Sequence, residues 1–385
     1  MDKSLLTDGH ARMNPDRLTF LDSLRGLAAL YVVLYHLLAM PSPPLDPGPA
    51  LRAIVSHGGS GVALFFVISA FSLCYTMPRH RDSGLPLVSF YTHRFFRIAP
   101  LFFILLLFSL WRDGRGAHAG HGVGEIAANV TFTFNLFRGW EEGIVWASWA
   151  VGVEMLFYAV FPLFFALIRT TPRAIALCVA STLLALVVQH GFAGDLQERL
   201  TGPFGLLRHL PVFALGMLSY QLYLLLQRLT AQGKARAGWI LMGASAAAGA
   251  GLALAVHGQL LGSMETWIAM GALYAMLLLG LAMAPWRLVV NRATRYLGTI
   301  SYSVYLGHPI VIATLMPVFR RIEAAIAAPA LSYLACGALA LAVVLPLAAI
   351  SFKLVETPGI RLGKALMRRA SATRVQPSVI RAGTP

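Results

Sequence analysis

Three ionisable side chains interrupt the first long apolar segment of the chain, which runs from Leu18 to Met40: Asp22, Arg25 and His36. Burying such a group in a membrane costs a few kcal/mol or more unless it is paired or lines a wet cavity. A segment with three of them is therefore expected to be functional rather than a plain anchor. Positions 25 and 36 return to within about 20° of one helix face and lie roughly 16 Å apart along the axis.

This spacing suggests a chemistry. It places a cation near one membrane surface and an imidazole near the other. Asp22, three residues before Arg25, can pair with it on the helix surface. An imidazole can take up or release a proton near neutral pH.

A pair of arginines enters the third apolar segment, in the sequence FYTHRFFRIAP. Arg94 and Arg97 are three residues apart, and the predicted membrane topology places them at the cytoplasmic surface. Guanidinium groups match phosphoryl oxygens in geometry, so the pair could bind phosphates. The alternative is ordinary positive charge flanking a membrane span.

Two further apolar segments contain polar residues. Glu154 lies near the middle of VWASWAVGVEMLFYAVFP, where a buried carboxylate needs a partner, and Arg25 or His36 would suit on grounds of charge. A structural ion pair is the alternative. In YLGTISYSVYLGHPIVI, Ser301, Tyr305 and His308 share one helix face, although such a face often serves packing or interhelical hydrogen bonding.

The composition identifies the elements that must position these residues. The chain has 57% hydrophobic and 12% charged residues in 385, with a mean hydropathy of +0.69, which excludes a soluble domain. We predict an all-α integral membrane protein with about ten transmembrane helices in one bundle. The predicted spans are residues 18–40, 58–77, 95–111, 145–168, 174–190, 204–226, 238–257, 266–284, 297–319 and 330–352. Residues 126–137 are too short and polar to count.

The distribution of positive charge predicts the orientation. With both termini in the cytoplasm, 22 of the 31 Lys and Arg residues fall on the cytoplasmic side. The predicted organisation is a cytoplasmic segment over residues 1–17, a membrane domain over 18–358, and a basic cytoplasmic tail over 359–385 that we expect to be disordered. The net positive charge thus reflects membrane topology, and no basic run with interleaved aromatic residues indicates nucleic-acid binding.

The three cysteines all fall within predicted spans and imply neither a disulfide framework nor a metal site.

Together these segments resemble the acyltransferase-3 family of bacterial membrane O-acyltransferases. The motifs LDSLRGLAALYVVLYH, GVALFFVISAF, FYTHRFFRIAP, WASWAVGVEMLFY and YLGTISYSVYLGHP occur in the family's order, and VETP resembles its closing Glu-x-Pro. The resemblance extends from about Leu18 to Pro358. Departures include Ala70, where the family has Gly, and VGVEM in place of SVEEQ.

The resemblance implies a ten-helix domain in the bacterial inner membrane that moves an acetyl group from cytoplasmic acetyl-CoA to a hydroxyl of a glycan at the far face. Lipopolysaccharide O-antigen, capsule and exopolysaccharide are all suitable acceptors. The family's motifs carry over to Arg25 with His36, Arg94 with Arg97, Glu154, and the group Ser301, Tyr302, Tyr305 and His308. We expect this chain to lack the additional soluble hydrolase-like domain that some relatives carry, which leaves open whether a separate partner completes the transfer.

The residues and the resemblance combine into one expected mechanism. Arg94 and Arg97 would hold the phosphates of CoA, and His36 would act as general base or acyl relay. Glu154 or Asp22 would orient the imidazole or the cation. Arg25 would stabilise the thioester oxyanion or neutralise the acidic residues around it, and His308 is a second candidate base.

A different class of function remains open. A ten-span protein with a polar interior could instead be a translocase for a glycan or lipid-linked sugar. Trp140, Trp146 and Trp149, with Glu141 and Glu142, could bind a sugar or form an interfacial aromatic belt.

Overall fold

The computed structural model describes residues 18–81, 84–115 and 120–375, and this part of the chain is helical, without strands. Fourteen α-helices follow in order: α1 Thr19–Ala39, α2 Gly48–Val55, α3 Gly61–Arg81, α4 Pro86–Asp113, α5 Val123–Val130, α6 Trp149–Leu167, α7 Thr171–Gly191, α8 Asp195–Thr201, α9 Leu206–Leu226, α10 Ala231–His257, α11 Ser263–Met283, α12 Arg292–Ala325, α13 Pro329–Ser351 and α14 Thr357–Val375.

Ten helical segments are long and apolar enough to cross a membrane, and they correspond one to one with the ten predicted spans. The prediction of an all-α, multi-pass membrane protein is confirmed at this level. The doubtful segment at residues 126–137 contains α5, whose eight residues would reach only about 12 Å. It is therefore too short to span a bilayer of roughly 30 Å.

Helix α3 lies at the centre of the bundle, and α10 lies at its edge. In the most apolar window of the span that ends in α3, 83% of the residues are buried, against 11% for α10. Side chains such as Ile240 and Leu254 on α10 are instead exposed, as expected for a surface that faces lipid. The centre packs tightly, with the Phe157 and Phe213 rings stacked at 3.9 Å between centroids.

Helices α1 and α12 approach each other closely because glycines face each other between them. A Cβ atom at Gly26 would lie 2.6 Å from the carbonyl oxygen of Thr294 and 2.8 Å from the amide nitrogen of Gly298. A Cβ at Gly298 would collide with the backbone of Asp22. Small residues at such a crossing are typical of membrane helices, whose association depends on close packing.

The structure corrects two boundaries. The third span begins at Pro86 rather than near residue 95, because proline at the first turn starts a helix without losing a hydrogen bond. Arg94 and Arg97 therefore lie within α4 instead of in a loop that enters it.

The second corrected boundary lies near the C-terminus. Residues 359–375, which we expected to be disordered, form most of α14. A five-residue π-helical turn, Phe352–Glu356, connects α14 to α13. The predicted segment 1–17 and the end of the predicted tail, 376–385, lie outside the described residues. The cytoplasmic placement of both termini stays a prediction.

The glycine contact between α1 and α12 predicts a position-specific loss of stability. Gly26→Ala should lower the melting temperature in detergent, because overpacking against backbone that cannot move costs about 1–3 kcal/mol. Gly307→Ala on α12 is the matched control, since a Cβ there meets nothing within 4 Å. That variant should melt at or above the wild-type temperature, because alanine favours helix by up to about 1 kcal/mol over glycine. Equal shifts for the two variants would contradict the close contact.

Candidate functional site

Three cavities follow one another between the two faces of the bundle. The first, which we call the basic cavity, has a volume of about 540 Å³ and lies at the start of α1. The second, the connecting cavity, has only about 90 Å³ and lies among α1, α3, α4, α6 and α12. The third, the aromatic cavity, has about 560 Å³ and lies at the end of α1. Two wide cavities are thus joined by a narrow one.

Shared walls make the three cavities a single path. Arg25, Ser72, Arg94 and Arg97 line both the basic and the connecting cavity. Val62 and Tyr305 line both the connecting and the aromatic cavity. A polar route therefore runs through the bundle parallel to α1.

The basic cavity carries a large excess of positive charge. Six of its lining side chains are cationic and one is a carboxylate: Arg25, Arg79, Arg94, Arg97, Arg361 and Lys364, with Asp22. Such a concave, one-signed surface attracts and holds a polyanion.

Arg25 stands where the basic cavity narrows into the connecting cavity. Its Nη1 atom lies 3.5 Å from Asp22 Oδ1, the pairing that the sequence predicts, and its Nη2 donates to Ser72 Oγ at 2.6 Å. Arg94 donates to Thr76 Oγ1 at 3.2 Å, and its guanidinium lies 5.8 Å from the centre of the Tyr158 ring. The buried Nε atom of Arg94 has no hydrogen-bond partner among the described residues. This donor is therefore available to a ligand.

Glu154 lies in the wall of the connecting cavity, and its hydrogen bonds differ from those expected. The donors are the hydroxyls of Ser69 and Tyr158, the latter at 2.6 Å, rather than Arg25 or His36. Glu154 nevertheless shares this cavity with Arg25, Arg94 and Arg97. The carboxylate therefore faces the cations across the cavity while hydroxyls hold it in position.

The tyrosines of α12 are fixed by backbone carbonyls. Tyr302 donates to Ile98 O and Tyr305 donates to Ala147 O, both at 2.9 Å, while Ser301 donates to Gly298 O within its own helix. All three side chains line the connecting cavity. Of the predicted face of Ser301, Tyr305 and His308, only the first two lie in this wall. The two tyrosines join α12 to neighbouring segments.

His36 and His308 contact each other, although 272 residues separate them. His308 Nε2 lies 3.1 Å from His36 Nδ1, and each Nδ1 also lies near a backbone carbonyl: Val32 O at 3.0 Å for His36 and Val304 O at 3.2 Å for His308. We assign the protons from this network. With both rings neutral, each Nδ1 carries the proton that its carbonyl accepts, and His308 Nε2 is a second acceptor for the proton of His36.

This assignment leaves one nitrogen for chemistry. The Nε2 atom of His36 keeps an unshared electron pair, and His36 lines the aromatic cavity. His308 is fully buried behind it. The two imidazoles thus differ in position, since His36 is open to the cavity and His308 supports it.

Aromatic rings surround the remainder of the aromatic cavity. Trp146, Trp149 and Trp267 line it with Tyr35 and Phe204. Of the sequence-predicted tryptophans, Trp140 packs instead against Phe137, with 5.3 Å between ring centroids. Glu142 also lines the cavity, whereas Glu141 is not part of its wall.

The sequence analysis did not single out Arg208, His209 or Trp267, which also line this cavity. His209 Nε2 donates to Pro203 O at 3.0 Å, while its buried Nδ1 and the buried Nε1 of Trp267 lack partners among the described residues. The rule that ionisable residues within spans are functional could have found both Arg208 and His209.

Charged side chains interact where the end of α4 approaches α5. Arg112 lies 5.1 Å from the centre of the Trp146 ring, and His121 contacts Asp113 at 3.2 Å and Glu125 at 3.0 Å. Burial lowers the pKa of His121, but the hydrogen bonds to Asp113 and Glu125 outweigh it and raise that pKa above its ordinary value. The contacts of protonated His121 with the ionised carboxylates of Asp113 and Glu125 therefore stabilise the fold fully below the ordinary pKa of imidazole. This stabilisation is lost as the pH rises through the raised pKa.

A second buried carboxylate was not assigned a role from the sequence. Glu356, in the Glu-x-Pro segment, ends the π-helical turn and accepts a hydrogen bond from Ser303 on α12. Its side chain is almost fully buried. The bond joins the start of α14 to the helix that carries His308.

The fold and the cavities define a multi-pass membrane protein with a polar path that joins a basic pocket to a histidine pair. Residues 18–349 match the family described as an acyltransferase domain, and the chain belongs to this acyltransferase-3 family. The predicted resemblance is confirmed, and the family match does not favour the translocase alternative.

Two curated proteins are similar over part of their length. "Acyltransferase MdmB" of Streptomyces mycarofaciens is 29% identical over 185 residues, which cover 44% of this chain and 45% of that protein. "Regulator of hypoxia-inducible factor 1" of Caenorhabditis elegans is 26% identical over 217 residues, which cover 49% of this chain and 41% of that protein. The match thus spans less than half the length of either relative. No solved structure matches the chain.

The two end cavities should open to opposite sides of the membrane. In a background in which Cys74, Cys178 and Cys336 are replaced by serine, Lys364→Cys and Glu142→Cys should react with an impermeant maleimide from opposite sides. The positive-inside distribution predicts labelling of Lys364→Cys in inverted vesicles and of Glu142→Cys in intact cells.

Ile240→Cys provides the control for this labelling. Ile240 is 68% exposed but lies on the apolar edge of the bundle, so its thiol should stay unreactive in lipid. Labelling of both cavity positions from one side would contradict the path.

Proposed function

We propose that this protein is a bacterial inner-membrane O-acyltransferase that moves an acetyl group from cytoplasmic acetyl-CoA to a hydroxyl of a cell-surface or exported glycan. The observation that carries the proposal is the path from the basic cavity, through a constriction, to the Nε2 atom of His36. A thioester enzyme that acts across a membrane needs these parts in this order: a polyanion site, a passage for a thin chain, and a base beside the acceptor.

The basic cavity fits the donor by charge. CoA carries three phosphoryl groups and about four negative charges at neutral pH. The cavity offers six cations against one carboxylate, and Arg94 has an unused donor. Arg94 and Arg97 line both the basic and the connecting cavity, so they would bind phosphates close to the entrance of the constriction. Bound there, CoA supplies the activated acyl group as a thioester.

The protein's own residues then manage the proton and the developing charge. His36 Nε2 takes the proton of the acceptor hydroxyl as its oxygen bonds to the acyl carbon, and the carbon–sulfur bond breaks. The proton passes from His36 to the departing sulfur, which leaves the imidazole neutral again. In the alternative sequence, His36 Nε2 attacks the acyl carbon, the carbon–sulfur bond breaks, and CoA leaves as a thiolate. The acceptor hydroxyl then attacks the acylated imidazole, the bond between Nε2 and the acyl carbon breaks, and the hydroxyl proton passes to the thiolate. Arg25 lies roughly 16 Å from His36 along α1. It stands at the entrance of the connecting cavity, so its guanidinium would neutralise Asp22 and the phosphates of the donor rather than reach the oxyanion at His36.

The aromatic cavity suits an acceptor with a ring and several hydroxyls. Tryptophan rings can stack on the apolar face of a sugar, while Glu142, Arg208 and the unpaired atoms of His209 and Trp267 provide hydrogen bonds. Its volume of about 560 Å³ exceeds that of the constriction sixfold, with 90 Å³ for the latter. A separate partner at this face could present or receive the glycan.

The same constriction argues against the translocase alternative. A translocated glycan would have to pass Arg25, Glu154 and Tyr302, where the path is narrowest. An extended pantetheine arm is a single acyclic chain and needs a narrower passage than a chain of sugar rings.

Replacement of His36 should abolish transfer without abolishing donor binding. Membranes containing His36→Gln, incubated with labelled acetyl-CoA and an envelope glycan fraction, should incorporate base-labile label roughly 10²- to 10⁴-fold more slowly, because a general base contributes about this much. Binding of acetyl-CoA should persist, since His36 lies outside the basic cavity.

The matched control is His257→Gln, at the exposed end of α10 on the same face as His36. It should transfer at the wild-type rate. Wild-type rates in His36→Gln would overturn the role of the imidazole, and no transfer or donor binding in wild type would overturn the acyltransferase proposal.

Replacement of His308 should test the proton assignment. His308→Phe keeps the ring shape but removes the acceptor for His36, so kcat should fall at least about tenfold, equivalent to about 1.4 kcal/mol, with little change in the KM for acetyl-CoA. His308→Gln, which retains an acceptor near the former Nε2 position, should recover part of kcat. If the Gln and Phe variants lose kcat equally, the hydrogen bond between the two imidazoles has no catalytic role.

A further inference from the structure

We propose that α14 completes the donor site, and that Arg361 and Lys364 bind the 3′-phosphate of CoA and so select CoA over donors that lack this group. This inference rests on the proposed function and extends it to residues beyond the matched family region. That region ends at residue 349, whereas α14 begins at Thr357.

One face of α14 forms a wall of the basic cavity. Thr357, Ile360, Arg361 and Lys364 line it, and their spacing of three and four residues places them on one side of the helix. The two cations therefore point into the cavity together.

A different face of α14 fixes the helix against α4. A Cβ at Gly359 would lie 2.6 Å from Pro100 Cγ, and a Cβ at Gly363 would lie 2.8 Å from Phe96 Cβ. The two glycines are four residues apart, the spacing that lets membrane helices approach closely. At 100° per residue, this glycine face lies about 130° around the helix from the cavity-lining face. Docking on the helix that carries Arg94 and Arg97 thus presents the cations of α14 to the same cavity.

Depth in the path decides which phosphate each cation meets. Arg25, Arg94 and Arg97 line both the basic and the connecting cavity and are therefore inner cations. Arg79, Arg361 and Lys364 line only the basic cavity and are outer cations, and the last two lie on α14. In CoA, the pyrophosphate lies between the thioester arm and the adenosine, which carries the 3′-phosphate. With the thioester directed inward, the inner arginines meet the pyrophosphate and the cations of α14 meet the 3′-phosphate.

The charge count supports this division. The pyrophosphate carries about two negative charges and the 3′-phosphate monoester about −1.5 to −2. Of the three outer cations, Arg361 and Lys364 share one face of α14 and together supply two positive charges, enough to balance the monoester. Lys and Arg near a phosphate contribute charge-assisted hydrogen bonds, and Arg can donate two in parallel.

The test compares acetyl-CoA with acetyl-3′-dephospho-CoA as donors for wild type and for the double variant Arg361→Gln/Lys364→Gln. Wild type should show a KM about tenfold or more lower for acetyl-CoA, because each lost charged hydrogen bond weakens binding by roughly tenfold. In the double variant the KM for acetyl-CoA should rise to that of the dephospho donor. The KM for the dephospho donor and kcat for both should stay unchanged.

A matched control removes two positive charges elsewhere on the predicted cytoplasmic side of the protein. Arg228→Gln/Arg292→Gln replaces two exposed arginines outside the cavity, and it should keep the wild-type preference for acetyl-CoA. This variant distinguishes a specific contact from the general attraction of a basic surface. The single charge-conserving variant Arg361→Lys should show an intermediate preference and provides a second measurement if the double variant is unstable.

The outcomes separate this inference from the proposed function. Equal weakening of both donors in the double variant, or no change in the preference, would overturn the role of α14 while transfer by wild type still supported an acyltransferase. Failure of wild type to bind or use either donor would instead overturn the proposed function.

Discussion

A cation buried in a membrane must be surrounded by groups that replace water, and the arrangement around Arg25 follows from this constraint. Its guanidinium contacts Asp22 and Ser72 and borders two cavities. Because the bilayer supplies no polar partners, the neighbouring helices provide hydroxyls, a carboxylate and space for water. The same requirement explains why Glu154 is held by Ser69 and Tyr158. The polar interior and the path through the bundle thus have one physical origin.

Several of these features could be predicted from the sequence because they are local. The ten apolar runs, the pairing of Asp22 with Arg25 and the common face of Ser301 and Tyr305 depend only on helical periodicity. The contact of His36 with His308 depends instead on the crossing of α1 and α12, which spacing within either helix cannot determine. The sequence pointed to both histidines through the family motifs but gave no reason to place them in contact.

The predicted span boundaries were wrong where a segment is polar but nevertheless helical. The segment before residue 95 is polar and basic, yet Pro86 starts a helix that carries Arg94 and Arg97 into the bundle. The segment after Pro358 is polar as well, yet Gly359 and Gly363 dock it on α4. Hydropathy measures whether a residue prefers lipid, whereas these residues face a polar cavity or another helix. Arg94, Arg97, Arg361 and Lys364, which line the basic cavity, therefore lie where span prediction is least informative.

The glycine contact between α1 and α12 also has a kinetic implication. Gly26 faces Gly298, and His36 faces His308, so both contacts follow the same parallel register, ten residues apart on each helix. A slide of one helical turn, about 5.4 Å, would separate the imidazoles and drive the glycine backbones into bulkier neighbours. The helices α1 and α12 therefore keep a fixed position relative to each other. Any motion that opens the passage during turnover must come from the elements that move around this fixed pair.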